Sequence, residues 1–503
     1  MKFWFTEQAD FTILALYGPE TAEVGKAVYD SRAAEKNAVF FCLKGLNSDG
    51  HKFIGQALAN GAKVIIGTDE SLLLDWYRHS PSCTFIVTDD ARKAMSHFSA
   101  QLYGHCYRGM KTAAITGTNG KTTVTAFMHY LLNRSGIKTG AVGTEKVWDD
   151  QDTRSFPHTT HTTPEAPDLH HIFHTFANED IGAVVLEVTS IAIDQKRVDG
   201  LLFNVGVHTN LTPEHLDFHA TFEQYKQSKM QLFQQVEKAV VNLDDDGMGK
   251  DLALEFTGEM LTYSLKEAAD VTARIVNVSE NGTEVDIKAC NEHSRICLPI
   301  YGAHNLENFL AAFSACLLLG VPYEQLIQHA PGINMPNGRL NVIETGTNFK
   351  VISDFAHTPD ALVSAIEAAR SMQPRRLIML IAGNGTRDPA QLPLLAAYSE
   401  GKADHIVATV EHPDKKDRQA ILTDVLAGFT NPEQDTISTA LHRDEAIKQA
   451  LALAEAGDIV LLTGLGPLDH QIIHGQEVPY SELDVIHHCL TELQTSDQAA
   501  SHK

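Results

Sequence analysis

Short apolar runs alternate along this chain with stretches whose apolar residues recur at helical spacing. In the first hundred residues the runs are Val39–Leu43, Val64–Ile66 and Thr84–Val87. Further on they are Ala113–Ile115, Gly182–Val188, Phe203–His208 and Val240–Leu243. A last series comprises Lys350–Ser353, Arg376–Ile381, His405–Thr409 and Asp458–Thr463. Helical patterns lie between the members of that series, over Pro359–Ser371, Pro389–Glu400, Asp417–Ala427 and Asp444–Glu455. Strand-helix alternation at this spacing predicts α/β layers, with mostly parallel sheets covered on both faces. The pattern divides into three domains: a small N-terminal α/β domain (1–108), a central parallel-sheet domain (109–335) and a C-terminal Rossmann-like α/β domain (336–494). Residues 495–503 read as a disordered tail.

The central domain opens with the stretch on which the rest depends. Ala113-Ala114-Ile115 is a β-type run, and Thr116-Gly117-Thr118-Asn119-Gly120-Lys121-Thr122-Thr123 is a polar turn. Val124, Phe127, Met128, Leu131 and Leu132 then share one helical face. Strand, glycine turn and helix make a phosphate cradle. Backbone N–H groups close round the oxygens, the helix N-terminus adds partial positive charge, and Lys121 adds a full one. Thr122 offers a hydroxyl for Mg2+. The general P-loop has a glycine five residues before Gly120, where this chain has Ile115, so this loop is a shortened P-loop-type variant. The plain alternative is a glycine turn between core elements. Glu187 ends the apolar run Gly182–Val188, a good place for a Mg2+ ligand, with a buried salt bridge as the alternative.

Other polar clusters are weaker by themselves. Asp30-Ser31-Arg32 and Asp49-Gly50-His51 read first as turns or helix caps. Lys229 and His215 are each, taken alone, compatible with a purely structural role. In the last domain, polar loops follow the predicted strands at Asp354–Asp360, Gly383–Asp388 and Gly464–Pro467, where open α/β sheets bind ligands.

Composition narrows the classes. A net charge of −24 over 503 residues argues against a nucleic-acid surface, though a pocket can be locally basic. The seven cysteines form no C-x-x-C pair, which predicts reduced thiols in a cytoplasmic protein and no zinc site. Glu7 and Asp10 break the apolar N-terminus, so no signal peptide is expected, and no stretch approaches a membrane span.

Taken together, Gly117–Thr123, Glu187, Asn210…His215, Lys229, Asn305…Asn308, Gly338-Arg339 and Asp354…His357 resemble the Mur ligases, in the family's order and over nearly the whole chain. The branch most similar adds the third residue to UDP-N-acetylmuramoyl-L-alanyl-D-glutamate. The resemblance implies an ATP- and Mg2+-dependent acid–amino-acid ligase, cytoplasmic and monomeric, acting on small molecules. ATP would meet Gly117, Thr118, Asn119, Gly120, Lys121, Thr122 and Thr123, with Asn305, Asn308, Arg339, Asp354 and His357. Lys121, Glu187, His215 and Lys229 would be catalytic. Thr122, Glu187, His215 and a carbamylated Lys229 would serve the metal. Ser31, Arg32 and His51 would bind the uridine nucleotide, and Thr162, Thr163, Thr189, Gln195 and Arg197 the muramoyl dipeptide. The reaction would pass through an acyl phosphate captured by an amine.

The last domain departs from the pattern. Diaminopimelate-adding relatives carry Asp-Asn-Pro-Arg where this chain has Glu411-His412-Pro413-Asp414. The relatives' arginine pairs with the far carboxylate of the diamino acid, and Asp414 would repel it. Gly-Lys-Gly-His-Glu is replaced by Gly464-Leu465-Gly466-Pro467-Leu468, and in the central domain Ile191 stands where a histidine is usual. Arg387, Glu411, Asp414 and Gly464 are therefore the candidate amine-selecting residues; a third-residue ligase with a basic or neutral amine is one reading, and the sequence does not fix the amine. Three alternatives remain: a paralogue ligating another peptide or acid, a folylpolyglutamate- or cyanophycin-type ligase, and an inactive nucleotide-binding protein.

Overall fold

The computed structural model describes residues 1–45, 48–144, 147–151, 153–156, 160, 162–214, 216–279, 281–289, 291–466 and 468–501. The chain forms two compact units, residues 1–271 with 311–326, and residues 272–310 with 327–503.

The first unit begins with a five-stranded sheet in the order Ala15–Tyr17, Thr84–Val87, Val64–Gly67, Ala38–Phe41, Lys26–Val28. Only the edge strand Ala15–Tyr17 runs antiparallel. Side chains alternate across a strand, so adjacent aromatics serve opposite faces. Phe41 packs with Phe3, Ile66 and Phe98, while Phe40 packs with Ile65, Leu73 and Phe85.

A second sheet of the same unit carries the glycine loop. Its parallel strands run in the order Thr139–Val142, Ala183–Glu187, Lys111–Thr116, Phe203–His208, Val236–Asn242, Glu259–Ser264. The loop strand is thus central, with the Glu187 strand on one side. The register pairs Glu187 with Ile115 and His208 with Thr116, so two polar strand ends flank the first loop residues. Ala114, Val184, Leu186, Phe203 and Val241 form the core with Phe173 and Phe176. Each fully buried large side chain contributes roughly 1.5–3 kcal/mol, so the polar loop rests on a rigid support.

The second unit holds a six-stranded sheet in the order Asn341–Ile343, Lys350–Asp354, Ile459–Thr463, Leu377–Asn384, His405–Glu411, Ile437–Thr439. Only the first pair is antiparallel. One face packs Met379, Ile381 and Leu461 against Leu362, Ile366 and Ile421. The other packs Leu380, Val407 and Leu462 against Ala446, Ile447 and Ile486. This is the doubly covered α/β arrangement expected from the alternation.

Local boundaries differ from expectation in understandable ways. The strand read from Val240 begins at Val236. The pattern Pro389–Glu400 splits into a tight turn, Pro389–Gln391, and the helix Leu392–Ser399. The hairpin Gly282–Ala289 with Glu292–Leu298 was not expected, although Glu284-Val285-Asp286-Ile287-Lys288-Ala289 alternates charged and apolar residues as a half-buried strand does. A second unexpected hairpin joins His470–Ile473 and Gln476–Pro479. The helix Glu482–Ser501 runs into the stretch for which a disordered tail is expected. Among the described residues no helix is long and apolar enough to cross a membrane.

Candidate active site

Gly117 turns the chain out of the central strand with φ +154, and a Cβ there would stand 1.9 Å from Thr209 Oγ1. Only glycine allows the loop to lie this close to the neighbouring strand end. Asn210 anchors the next two loop residues: its carbonyl accepts from Thr118 N at 2.8 Å and its Oδ1 from Asn119 N at 2.9 Å. Thr209 Oγ1 donates to Asn119 O at 2.6 Å. Gly120, at φ +89, then starts the helix Lys121–Arg134, with Thr122 and Thr123 buried in its first turn. Lys121 Nζ donates to the carbonyls of Gly117 at 2.8 Å and Thr118 at 2.9 Å.

The Glu187 carboxylate is fully buried, which requires partners on both oxygens. Oε1 accepts from Thr144 N at 3.1 Å. Oε2 accepts from Thr122 Oγ1 at 3.1 Å and Thr144 Oγ1 at 2.9 Å. A Cβ on Gly143 would stand 2.0 Å from Oε1, so this glycine opens the space that the carboxylate fills. The hydroxyls and carboxylate form a hard oxygen set beside the phosphate loop, suited to Mg2+, which keeps several waters and needs few protein ligands. No cluster of three or more His, Cys, Asp or Glu arranged for a metal occurs among the described residues. His215 lies outside them.

Lys229, on the helix Phe222–Leu232, is 1% exposed and donates from Nζ to Gly117 O at 2.8 Å. Two lysine amines therefore share one carbonyl. Burial pushes the Lys229 ammonium well below its ordinary value; Lys121 adds to the effect and Glu214 opposes it. Tyr225 lies under the amine, 4.6 Å from ring centre to Nζ, and its hydroxyl is 3.1 Å from Thr118 Oγ1.

The expected dipeptide residues assemble around Glu187. Thr162 Oγ1 is 2.9 Å from Thr144 Oγ1. Thr163 Oγ1 donates to Glu187 O at 2.9 Å and accepts from Thr189 N at 3.2 Å. Arg197 donates to Thr163 O at 2.8 Å and to Gln195 Oε1 at 2.7 Å, with Glu165 at 3.2 Å. In the N-terminal sheet, Ser31 Oγ donates to Gln56 Oε1 at 2.7 Å, and Arg32 is an exposed side chain paired to Asp30 at 2.7 Å. His51 is buried, with Nδ1 at 2.6 Å from Asp49 Oδ1 and Nε2 accepting from Thr68 N at 3.1 Å. Nδ1 is thus spent on Asp49 and Nε2 on the backbone just past the Val64–Gly67 strand. Beside it is a cavity of about 210 Å³ lined by Cys42, Lys44, Thr68, Asp89, Asp90 and Arg92.

In the second unit, Asn308 Nδ2 reaches Asn305 Oδ1 at 3.4 Å, and Asn305 donates to Tyr301 O at 2.9 Å. Asp354 accepts from Leu340 N at 2.8 Å and Ala356 N at 2.7 Å. Burial still raises its carboxyl above the ordinary value, against the pull of Arg339 and those N–H groups. Arg339 stacks 5.1 Å from the Phe355 ring, and His357 Nδ1 is 2.6 Å from Phe355 O.

Of the amine-selecting candidates, Glu411 and Gly464 meet at strand ends of this sheet, where Asn384 pairs with Glu411. Glu411 is 1% exposed; burial pushes its carboxyl up to about 7, against the attraction of Arg443 and Arg387. Arg443, fully buried, lies 3.4 Å from Glu411 and 2.6 Å from Glu482, and donates to Thr463 O at 2.8 Å. A side chain on Gly464 would strike the Glu411 carboxylate. Asp414 is half-buried at φ +53, its backbone bonded to Ile472 and His474 of the second hairpin.

Three participants were given no role by the sequence reading: Thr144, Arg443 and Glu482. Thr144 carried a faint signal, a hydroxyl directly after a glycine at a strand end.

Comparison with known proteins fits this geometry. Residues 26–98, 115–316 and 338–466 match the Mur ligase family catalytic domain, the Mur ligase middle domain and the Mur ligase glutamate ligase domain. The UDP-N-acetylmuramoyl-L-alanyl-D-glutamate–2,6-diaminopimelate ligase 1 of Clostridium acetobutylicum is 34% identical over 95% of this chain and 96% of its own. A solved UDP-N-acetylmuramoyl-L-alanyl-D-glutamate–2,6-diaminopimelate ligase superposes with TM-score 0.70 at 26% identity, covering 98% of this chain and 100% of the other. The Thermotoga maritima MurF ligase, solved with ADP, shares the fold at TM-score 0.62 and 18% identity, over 94% of this chain and 98% of its own. With a glycine loop built for a nucleotide and relatives matched from end to end, the chain belongs to the Mur ligase family and is an ATP-binding acid–amino-acid ligase.

Proposed function

We propose that this ligase joins an amino acid to UDP-N-acetylmuramoyl-L-alanyl-D-glutamate or a close analogue, using ATP and Mg2+. The observation that carries the reading is the buried Glu187 carboxylate, fixed between the Thr122 and Thr144 hydroxyls beside Lys121. The acceptor is the one named for relatives aligned over 95% of the chain. Lys121 turns from its loop carbonyls to the β- and γ-phosphates. The glutamyl carboxylate oxygen attacks the γ-phosphorus, the bond to ADP breaks, and an acyl phosphate forms. Such transfer is driven by positioning and charge neutralisation. The amine nitrogen then attacks the acyl carbon, gives up a proton, and phosphate leaves. Thr122, Glu187 and His215 would hold Mg2+, whose charge neutralises the phosphate oxygens. In its neutral form the Lys229 amine can attack CO2, forming an N–C bond and releasing a proton to solvent, and the resulting carbamate would be an anion able to join that metal environment.

Asn305, Asn308, Arg339, Asp354 and His357 serve the rest of the nucleotide, and Ser31 and Arg32 the uridine end, with His51 holding the loop beside the neighbouring cavity. For the amine we propose a basic or neutral side chain. Arg387 supplies the cation for the α-carboxylate, and Asp414 disfavours a second carboxylate. Phosphate release with ATP, Mg2+, the UDP-dipeptide and a panel of amino acids tests this. Release should need the acceptor and at least one amine without a far carboxylate, and Lys121→Ala should reduce it to background. Undiminished turnover by that variant refutes the site. Diaminopimelate as the best amine refutes the assignment of Asp414.

A further inference from the structure

The segment from Glu187 to Arg197 carries the metal carboxylate at one end and Thr189, Gln195 and Arg197 at the other. Its only regular element is the helix Ser190–Asp194, five residues long. So short a helix does not hold itself, since nucleation costs more than one turn of hydrogen bonds returns. The segment must be fixed from outside. Thr163 fixes its start, through Glu187 O and Thr189 N. Its middle is fixed by His219, which closes the short helix Leu216–His219.

His219 is 4% exposed. Its Nε2 lies 2.9 Å from Ser190 Oγ, and its Nδ1 3.3 Å from Asp194 Oδ2. A carboxylate only accepts, so Asp194 favours a proton on Nδ1, which leaves Nε2 to accept from the Ser190 hydroxyl when the ring is neutral. One ring therefore grips both ends of the five-residue helix. Ser190 is held a second time: its carbonyl accepts from Ser228 Oγ at 2.9 Å, one residue before Lys229. The other face of the imidazole packs on Tyr225, 5.3 Å between ring centres. Tyr225 in turn reaches Thr118 of the phosphate loop.

We propose that His219 is a positioning residue for the acceptor: it fixes the segment 187–197 against the lysine helix, so that acceptor contacts and metal carboxylate keep one spacing. This rests on the reading of Thr189, Gln195 and Arg197 as acceptor contacts. Ser190 is 1% exposed, so the Ser190–His219–Asp194 arrangement is a brace and not a nucleophile with its base.

His219→Phe keeps a ring against Tyr225 but removes both polar grips. Its KM for the UDP-dipeptide should rise at least tenfold, while its Kd for ATP stays within twofold of the parent. Amides of 190–197 should exchange hydrogen at least tenfold faster, with those of 111–116 unchanged. His219→Gln, which can still bond Ser190 but not Asp194 as well, should recover part of the loss. Equal losses for ATP and acceptor, or no recovery with glutamine, would reduce His219 to a general packing role. Unchanged exchange over 190–197 would overturn the brace even if no acceptor turned over. A parent enzyme inactive with every UDP-linked acceptor would instead count against the acceptor reading, leaving the exchange result to decide on His219.

Discussion

Gly143→Ala is a sharp probe of the site because it adds one carbon and little else. That Cβ would lie 2.0 Å from Glu187 Oε1 and 2.7 Å from its carboxyl carbon. Ordinary contact begins near 3.4 Å, so the carboxylate must retreat by roughly 1.4 Å. Its bonds to Thr122 and Thr144 are already 2.9–3.1 Å long and do not survive such a move. A 1 Å displacement of a catalytic group can cost about 100-fold in rate, or about 2.7 kcal/mol of barrier. We expect kcat for phosphate release to fall about 100-fold at saturating substrates. Overpacking should cost about 1–3 kcal/mol of stability, read from denaturant unfolding. ATP affinity should change little, because Lys121 and the loop backbone are untouched. Gly109→Ala, whose Cβ meets nothing within 4 Å, is the control. A Gly143→Ala enzyme within threefold of the parent kcat, with its fold intact, would refute the role given to Glu187.

Two further outcomes concern buried charge. Arg443→Met strands Glu411 and Glu482 without their cation and should cost about 3–5 kcal/mol in chemical denaturation; adding Glu411→Gln and Glu482→Gln should restore part of it, and an unaltered midpoint in the single variant would refute the buried pairing. His170 is fully buried with neither ring nitrogen hydrogen-bonded, and burial pulls its pKa down to about 3. The unfolded chain therefore takes up a proton that the folded one refuses, and stability drains as pH falls below the unfolded value of about 6.5. His170→Leu should remove this penalty, gaining about 2 kcal/mol over the parent at pH 5 and less at pH 7. A gap that does not widen on acidification would show that His170 is not held neutral.

The loop around Lys121 was legible because its chemistry is contiguous: glycines, lysine and threonine lie within eight residues at a strand-to-helix junction. Glu187 was legible as a polar residue ending an apolar run. Its partner Thr144 was not, because that contact depends on the order of parallel strands, which residue spacing does not encode. Arg443 was hidden for a different reason. An arginine opening an amphipathic helix usually faces water, and only the assembled sheet brings two glutamates to it. His51 shows the reverse case. The motif was visible, yet its ring is spent on Asp49 and Thr68, leaving a neighbouring cavity as the open space.

Glu411, Asn384, Asp354 and Gly464 all stand where strands of the second unit's sheet give way to loops, with the apolar strands behind them carrying the fold. Such a layout does not free every rim position from the fold: Glu411 is buried against Arg443, so a base in its place would set two cations together out of water. Asp414, half-buried and tied to the second hairpin through its backbone, carries no such burden, so under the proposed reading a lineage could change its amine by single replacement there and not at Glu411.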